Sequence, residues 1–131
     1  VYLRQRNDVV LGLLTGNYGP AAQIKLSAVG IDPAWFAVCC YGDEATRRSE
    51  LVPLALDRLK RSSGLTVPYR RVVVVGDTPR DVQCAKTWGC RAVVVATGLY
   101  SLSELAESGA DLVLENFSRL ESFQRFLDAI E

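Results

Sequence analysis

Asp77 and Asp81 are the residues whose types and spacing point most directly to chemistry. They lie in Gly76-Asp77-Thr78-Pro79-Arg80-Asp81, directly behind Val72-Val73-Val74-Val75. Four β-branched residues in succession predict a strand buried on both faces. Gly76 turns the chain, and Pro79 stands where a helix begins. Asp77 then falls at the carboxyl end of a parallel strand, where open α/β sheets place their ligand sites. Asp81, one helical turn later, points back into the same crevice. Two convergent carboxylates suit a divalent cation. A purely structural reading makes Asp77 a helix cap and Asp81 a complement to the helix dipole.

Two further groups have chemical potential. Leu13-Leu14-Thr15-Gly16-Asn17 is another apolar strand end followed by a glycine turn. A hydroxyl beside free backbone N–H groups there can hold a phosphate oxygen. Alternatively, Thr15 caps the next turn and Gly16 supplies a left-handed conformation. Arg47 and Arg48 precede the helix that leads into the Asp77 strand. A guanidinium at that place can grip a phosphate bidentately, although paired arginines in loops are commonly just solvated.

The elements that must position these groups alternate along the chain. Strands are expected at Val9–Leu14, Trp35–Tyr41, Val72–Val75 and Arg91–Ala96, with a brief edge strand at Asp111–Leu114. Helices are expected at Pro20–Val29, Ser49–Arg61 and Pro79–Trp88, two of them closed by Gly30 and Gly89. Capping boxes at Ser101/Glu104 and Ser118/Glu121 start two more helices. The last of these carries Leu120, Phe123, Leu127 and Ile130 at core spacing. This alternation predicts a mostly parallel sheet with helices on both faces, in a single domain over residues 1–131. Ser62 to Pro68 reads as a connector too short to divide domains.

Bulk properties narrow the function. The chain has 131 residues, 49% of them hydrophobic and 23% charged, which is globular composition. Lys+Arg and Asp+Glu are both 15, so no net field attracts nucleic acid or an acidic membrane surface. No apolar run is long enough for a membrane span. The four cysteines, Cys39, Cys40, Cys84 and Cys90, have no zinc-ligand spacing, and the chain contains no histidine. Buried reduced thiols in a cytoplasmic protein are the expectation. The chain opens at Val1 and contains no methionine, so it is expected to be part of something longer.

Taken together, an apolar strand ending in Thr15, a basic residue before a helix, and a strand ending in GDTPRD resemble the haloacid dehalogenase superfamily. The stretch from Gly76 to Leu114 is similar in style to phosphoglycolate-phosphatase-like members, through GDTPRDVQCAKTWGCRAVVVATG and ADLVLENF. The resemblance implies a Rossmann-like three-layer sandwich and a Mg²⁺-dependent phosphatase acting through an aspartyl-phosphate on a small phosphorylated metabolite. It implies that Thr15 hydrogen-bonds the transferring phosphoryl group, with Gly16 and Asn17 beside it. Arg48, or else Arg47, stands at the family's Lys/Arg position. Asp77 helps bind Mg²⁺ and Asp81 orients the metal's surroundings. An alternative is a non-catalytic phosphate- or metal-binding module, or a protein-interaction module, derived from the same fold.

The resemblance also exposes a gap. The family's nucleophile and general acid sit in a DxD motif closing an earlier strand. None of Asp8, Asp32, Asp43, Asp57, Asp77, Asp81, Asp111 or Asp128 closes an apolar strand with a second Asp two positions on. The nucleophile strand and the cap domain are therefore expected to be absent from this chain. In the family that strand lies between the Thr15 strand and the Asp77 strand. Three arrangements would avoid two exposed edges: a preceding segment, a second copy of the chain, or direct pairing of the two strands.

Overall fold

The computed structural model describes residues 3–15, 19–44, 46–118 and 120–130. The chain falls into two compact units, Val1–Thr66 and Val67–Glu131. The boundary lies inside the Ser62–Pro68 connector.

In the first unit, β1 (Gly12–Leu14), α1 (Gly19–Ala28), β2 (Val38–Cys40) and α2 (Leu51–Ser63) follow in order. β1 and β2 pair in parallel, from Gly12 opposite Val38 to Leu14 opposite Cys40. Both strands are shorter than their apolar runs suggest. Trp35, expected to open the second strand, instead closes a 3₁₀ turn, Pro33–Trp35. Asp32 Oδ1 accepts the Ala34 N–H at 2.9 Å, a local bond that competes with the ladder. Helix α2 packs on both strands and buries Leu51, Val52 and Leu59 on one face. Pro53 is tolerated because first-turn N–H groups have no partner within the helix. A short 3₁₀ turn, Arg48–Glu50, takes the place of the expected first helical residues.

The second unit contains β3 (Val73–Gly76), α3 (Pro79–Thr87), β4 (Arg91–Val95), α4 (Leu102–Ala106), β5 (Leu112–Leu114) and α5 (Glu121–Asp128). Its sheet has the order β3-β4-β5 with every pairing parallel. Helix α3 packs on β3 and β4, and α4 on β4 and β5. The strand buried on both faces is β4, where Ala92 to Val95 are 0–3% exposed. That role was expected of the Val72–Val75 run, yet Val75 is 45% exposed. The reason is position: β4 is the middle strand of this sheet, and β3 lies at an edge.

The parallel α/β character matches the expectation, with the described strands in two hydrogen-bonded sheets, one in each unit. β1 pairs with β2 in the first unit, and β3 pairs with β4 in the second. The Ser101/Glu104 capping box is present. The Ser118/Glu121 box is not: α5 starts after Leu120 without a side-chain cap. Asn116 Oδ1 captures both the Ser118 N–H, at 2.9 Å, and its hydroxyl. A tight Asx-type turn has taken the serine away from the helix. Phe123 is buried, and Phe117 meets it edge-on with ring centroids 5.6 Å apart.

All four cysteines are free thiols, with Cys40, Cys84 and Cys90 buried. Burial pushes the Cys90 thiol up to about 11, against a smaller opposing effect of Lys86. Burial also raises Cys40, despite the charge and hydrogen bond of Arg58. Such protonated thiols are poor nucleophiles near neutral pH.

Candidate functional site

The turn between β3 and α3 is organised by a reciprocal cap. Thr78 is the N-cap, in extended conformation, and its hydroxyl accepts the Asp81 N–H at 3.4 Å. In return, Asp81 Oδ2 accepts three bonds, each 3.0 Å, from the Asp77 N–H, the Thr78 N–H and the Thr78 hydroxyl. These donors include backbone N–H groups that a helix start leaves without internal partners. Asp81 is only 4% exposed, the sole buried charged side chain among the described residues. Its carboxylate and Cβ occupy the space that a side chain at position 76 would need, which is why the chain has Gly76 there.

Asp77 is different in each of these respects. It is exposed, and among the described residues no donor engages its carboxylate. The helix is capped by Thr78, so Asp77 is not used as a cap. Its Oδ2 lies against the bare Cα of Gly98, in the loop that follows β4. The two acids thus divide the work. Asp81 spends its carboxylate on the turn, and Asp77 presents its own at the carboxyl rim of the sheet.

No group of three or more His, Cys, Asp or Glu able to hold a metal occurs among the described residues. One or two carboxylates completed by waters and phosphate oxygens is nonetheless the donor set that Mg²⁺ commonly takes. Asp77, with Asp81 behind it, is chemically suited to such a set.

The other nominated residues belong to the first unit. Thr15 is half-buried just beyond β1, and its N–H continues the ladder to Cys40 O at 3.1 Å. Arg48 is exposed at the start of the Arg48–Glu50 turn, with Arg47 as the residue before it. Gly16 and Asn17 lie outside the described residues. A concavity of about 430 Å³ in this unit is lined by Ala37, Val38, Cys39, Arg58, Arg61 and Ser62. None of the nominated residues lines it.

Two residues beside Asp77 were not among the nominated site residues: Thr78 in its turn and Gly98 in the loop after β4. Thr78 was legible: Thr-x-x-Asp before a helix is a capping pattern. Gly98 was not, because nothing local announces which side chain it faces. The pairing of Gly76 with Val94 brings the chain after β4 alongside the chain after β3.

At the opposite ends of these strands, Asp111 ties α3 to the sheet. Its Oδ2 accepts Lys86 Nζ at 2.7 Å and the Ala92 N–H at 2.8 Å. Burial alone would raise the Asp111 pKa. The hydrogen bonds from Lys86 and Ala92, with the charges of Lys86 and Arg91, outweigh it and hold the carboxyl below its ordinary value.

Comparison with known proteins places this geometry in a family context. A family model described as HAD-hydrolase-like matches residues 48–120. A phosphoglycolate phosphatase of Yersinia pestis is 30% identical over 115 residues, which is 87% of this chain and 47% of that protein. A phosphoglycolate phosphatase of Aliivibrio fischeri is 32% identical over 68 residues, 52% of this chain and 29% of that protein. Among solved structures, a candidate beta-phosphoglucomutase from Thermotoga maritima is similar with a TM-score of 0.71 and 26% identity, covering 91% of this chain and 53% of that one. A candidate phosphatase from Clostridium difficile gives a TM-score of 0.73 and 26% identity, covering 92% and 54%. The chain spans about half the length, or less, of these relatives.

Proposed function

This chain belongs to the HAD-like (haloacid dehalogenase-like) hydrolase family, and from that premise we propose that it forms part of a Mg²⁺-dependent phosphomonoester hydrolase acting through an aspartyl-phosphate. The observation that carries this reading is the exposed Asp77 carboxylate, engaged by no donor among the described residues, on a turn that the buried Asp81 holds in place.

In this reading Asp77 holds Mg²⁺ at the rim, and Asp81 fixes the backbone that aims Asp77. When bound, Mg²⁺ offsets the repulsion between an anionic nucleophile and the phosphate. The Thr15 hydroxyl and the Arg48 guanidinium serve the equatorial phosphoryl oxygens, where charge develops in the transition state. Gly16 and Asn17 would add backbone N–H groups to the same oxygens. The attacking carboxylate forms the covalent intermediate and splits one hard displacement into two. A second acid protonates the leaving alcohol. None of this chain's aspartates fits either role by position, so both are assigned to residues outside these 131.

The substrate is a small phosphorylated metabolite, and the names of the relatives make phosphoglycolate the first to assay. No helix among the described residues is long and apolar enough to cross a membrane. Its free cysteines suit the reducing cytoplasm, where we place the protein. The test is hydrolysis of phosphoglycolate and an aryl phosphate by the full-length gene product, with Mg²⁺ or with chelator. Chelation should abolish turnover, and Asp77→Asn should lower kcat/KM on the order of 10²-fold or more. Turnover indifferent to both would sink the reading. Robust hydrolysis by these 131 residues alone would overturn the assignment of the nucleophile elsewhere. A full-length protein that binds Mg²⁺ without hydrolysing either substrate would favour the non-catalytic module.

A further inference from the structure

We propose that Gly98 is a positioning residue for Asp77: the missing side chain at position 98 makes the space in which the Asp77 carboxylate lies. The proposal rests on the reading of Asp77 as a cation ligand and extends it to a residue on another loop.

The pairing of β3 with β4 sets up the approach. Gly76 stands opposite Val94, so the segment leaving β4 runs beside the segment leaving β3. Its first residue is anchored, since the Ala96 N–H donates to Leu114 O at 2.8 Å. A Cβ on Gly98 would stand 3.1 Å from Asp77 Cγ and 3.4 Å from Asp77 Cβ, and would collide with Oδ2.

The reason for glycine here is therefore not conformational freedom. Among the described residues the glycines with positive φ are Gly30, Gly64, Gly89 and Gly109, and Gly98 is not one of them. Its backbone accepts alanine without strain. What an alanine would meet is the far end of an exposed side chain that no donor holds among the described residues. That end can swing aside. Gly76 contrasts with it: a side chain there would run into Asp81 down to its Cβ, inside a buried and fully engaged turn. An added methyl group at position 98 thus displaces Asp77 and spares the fold. One at position 76 breaks the turn.

The test compares wild type, Gly98→Ala and Leu99→Ala, the last altering the exposed neighbouring side chain. Three readouts are taken: the Asp77 χ1 rotamer from NMR three-bond couplings, the dissociation constant for Mn²⁺ by electron paramagnetic resonance, and the urea midpoint. Gly98→Ala should change the Asp77 rotamer, weaken Mn²⁺ binding roughly 10-fold or more, and leave the midpoint unchanged. Leu99→Ala should change none of the three. An unaltered Asp77 rotamer in Gly98→Ala would overturn the proposal, as would a large drop in its midpoint, because glycine would then serve the fold. If wild type itself fails to bind Mn²⁺, the cation reading of Asp77 falls, and the rotamer still decides the role of Gly98.

Discussion

Asp81 Oδ2 accepts the backbone N–H of Asp77 at 3.0 Å, so the buried acid sets the course of the chain from which the exposed acid projects. One carboxylate has become part of the scaffold, and its neighbour four residues earlier is left for chemistry. The separation of roles has measurable consequences.

Removing the scaffold acid should cost far more stability than removing the exposed one. Asp81→Ala strips the acceptor from two backbone N–H groups and a hydroxyl in a part-buried turn. The expected loss is about 2–3 kcal/mol, against about 0.5 kcal/mol or less for Asp77→Asn. Urea denaturation of both variants decides the matter; equal losses would contradict the division of roles.

Gly76→Ala should destabilise by about 1–3 kcal/mol, because the new methyl group overlaps the buried Asp81 side chain. Most of that added cost should vanish when Asp81→Ala is already present, since the two residues compete for one space. A double-mutant cycle measures this coupling. Strict additivity would show that the clash is relieved elsewhere.

The Lys86–Asp111 pair should make stability sensitive to acid. The folded-state pKa of Asp111 lies below its ordinary value of 3.8. Its contribution is therefore complete above about pH 4 and disappears as the pH falls through the lower, folded-state value. Both side chains are partly exposed, 42% for Lys86 and 24% for Asp111, so the contribution is at most about 1 kcal/mol. Urea midpoints from pH 6 to pH 2 should fall less steeply in Asp111→Asn than in wild type. Parallel profiles would assign the acid sensitivity to other carboxylates.

Thiol labelling should separate Cys39 from the rest. Cys40, Cys84 and Cys90 are buried, and burial keeps Cys90 protonated up to about pH 11. At pH 8, native protein treated with a chromogenic disulfide should show no more than one fast thiol, with the others released by urea. Two or more fast thiols in native protein would contradict the burial of these side chains.

How much of this was legible beforehand differs from residue to residue. The GDTPRD turn was readable because its determinants are local. A β-branched run, a turning glycine and a proline at the helix start act within a few residues, and they place Asp77 at the strand end. The same locality made the Ser101/Glu104 cap readable. It misled at Ser118, where Asn116, two residues earlier, offered a competing acceptor within the same short segment.

By itself, then, the chain's amino-acid order determined the alternating parallel α/β character and the family-like strand–turn–helix that carries the two acids. Tertiary structure alone decided which apolar run became the middle strand. Residues 72–75 and 92–95 are similarly apolar, and only pairing with β5 put β4 at the centre and left β3 at an edge. It also decided which glycine, in the loop after β4, clears space for Asp77. Those outcomes depend on packing and on strand register between segments about twenty residues apart, and short-range propensities carry no information about either.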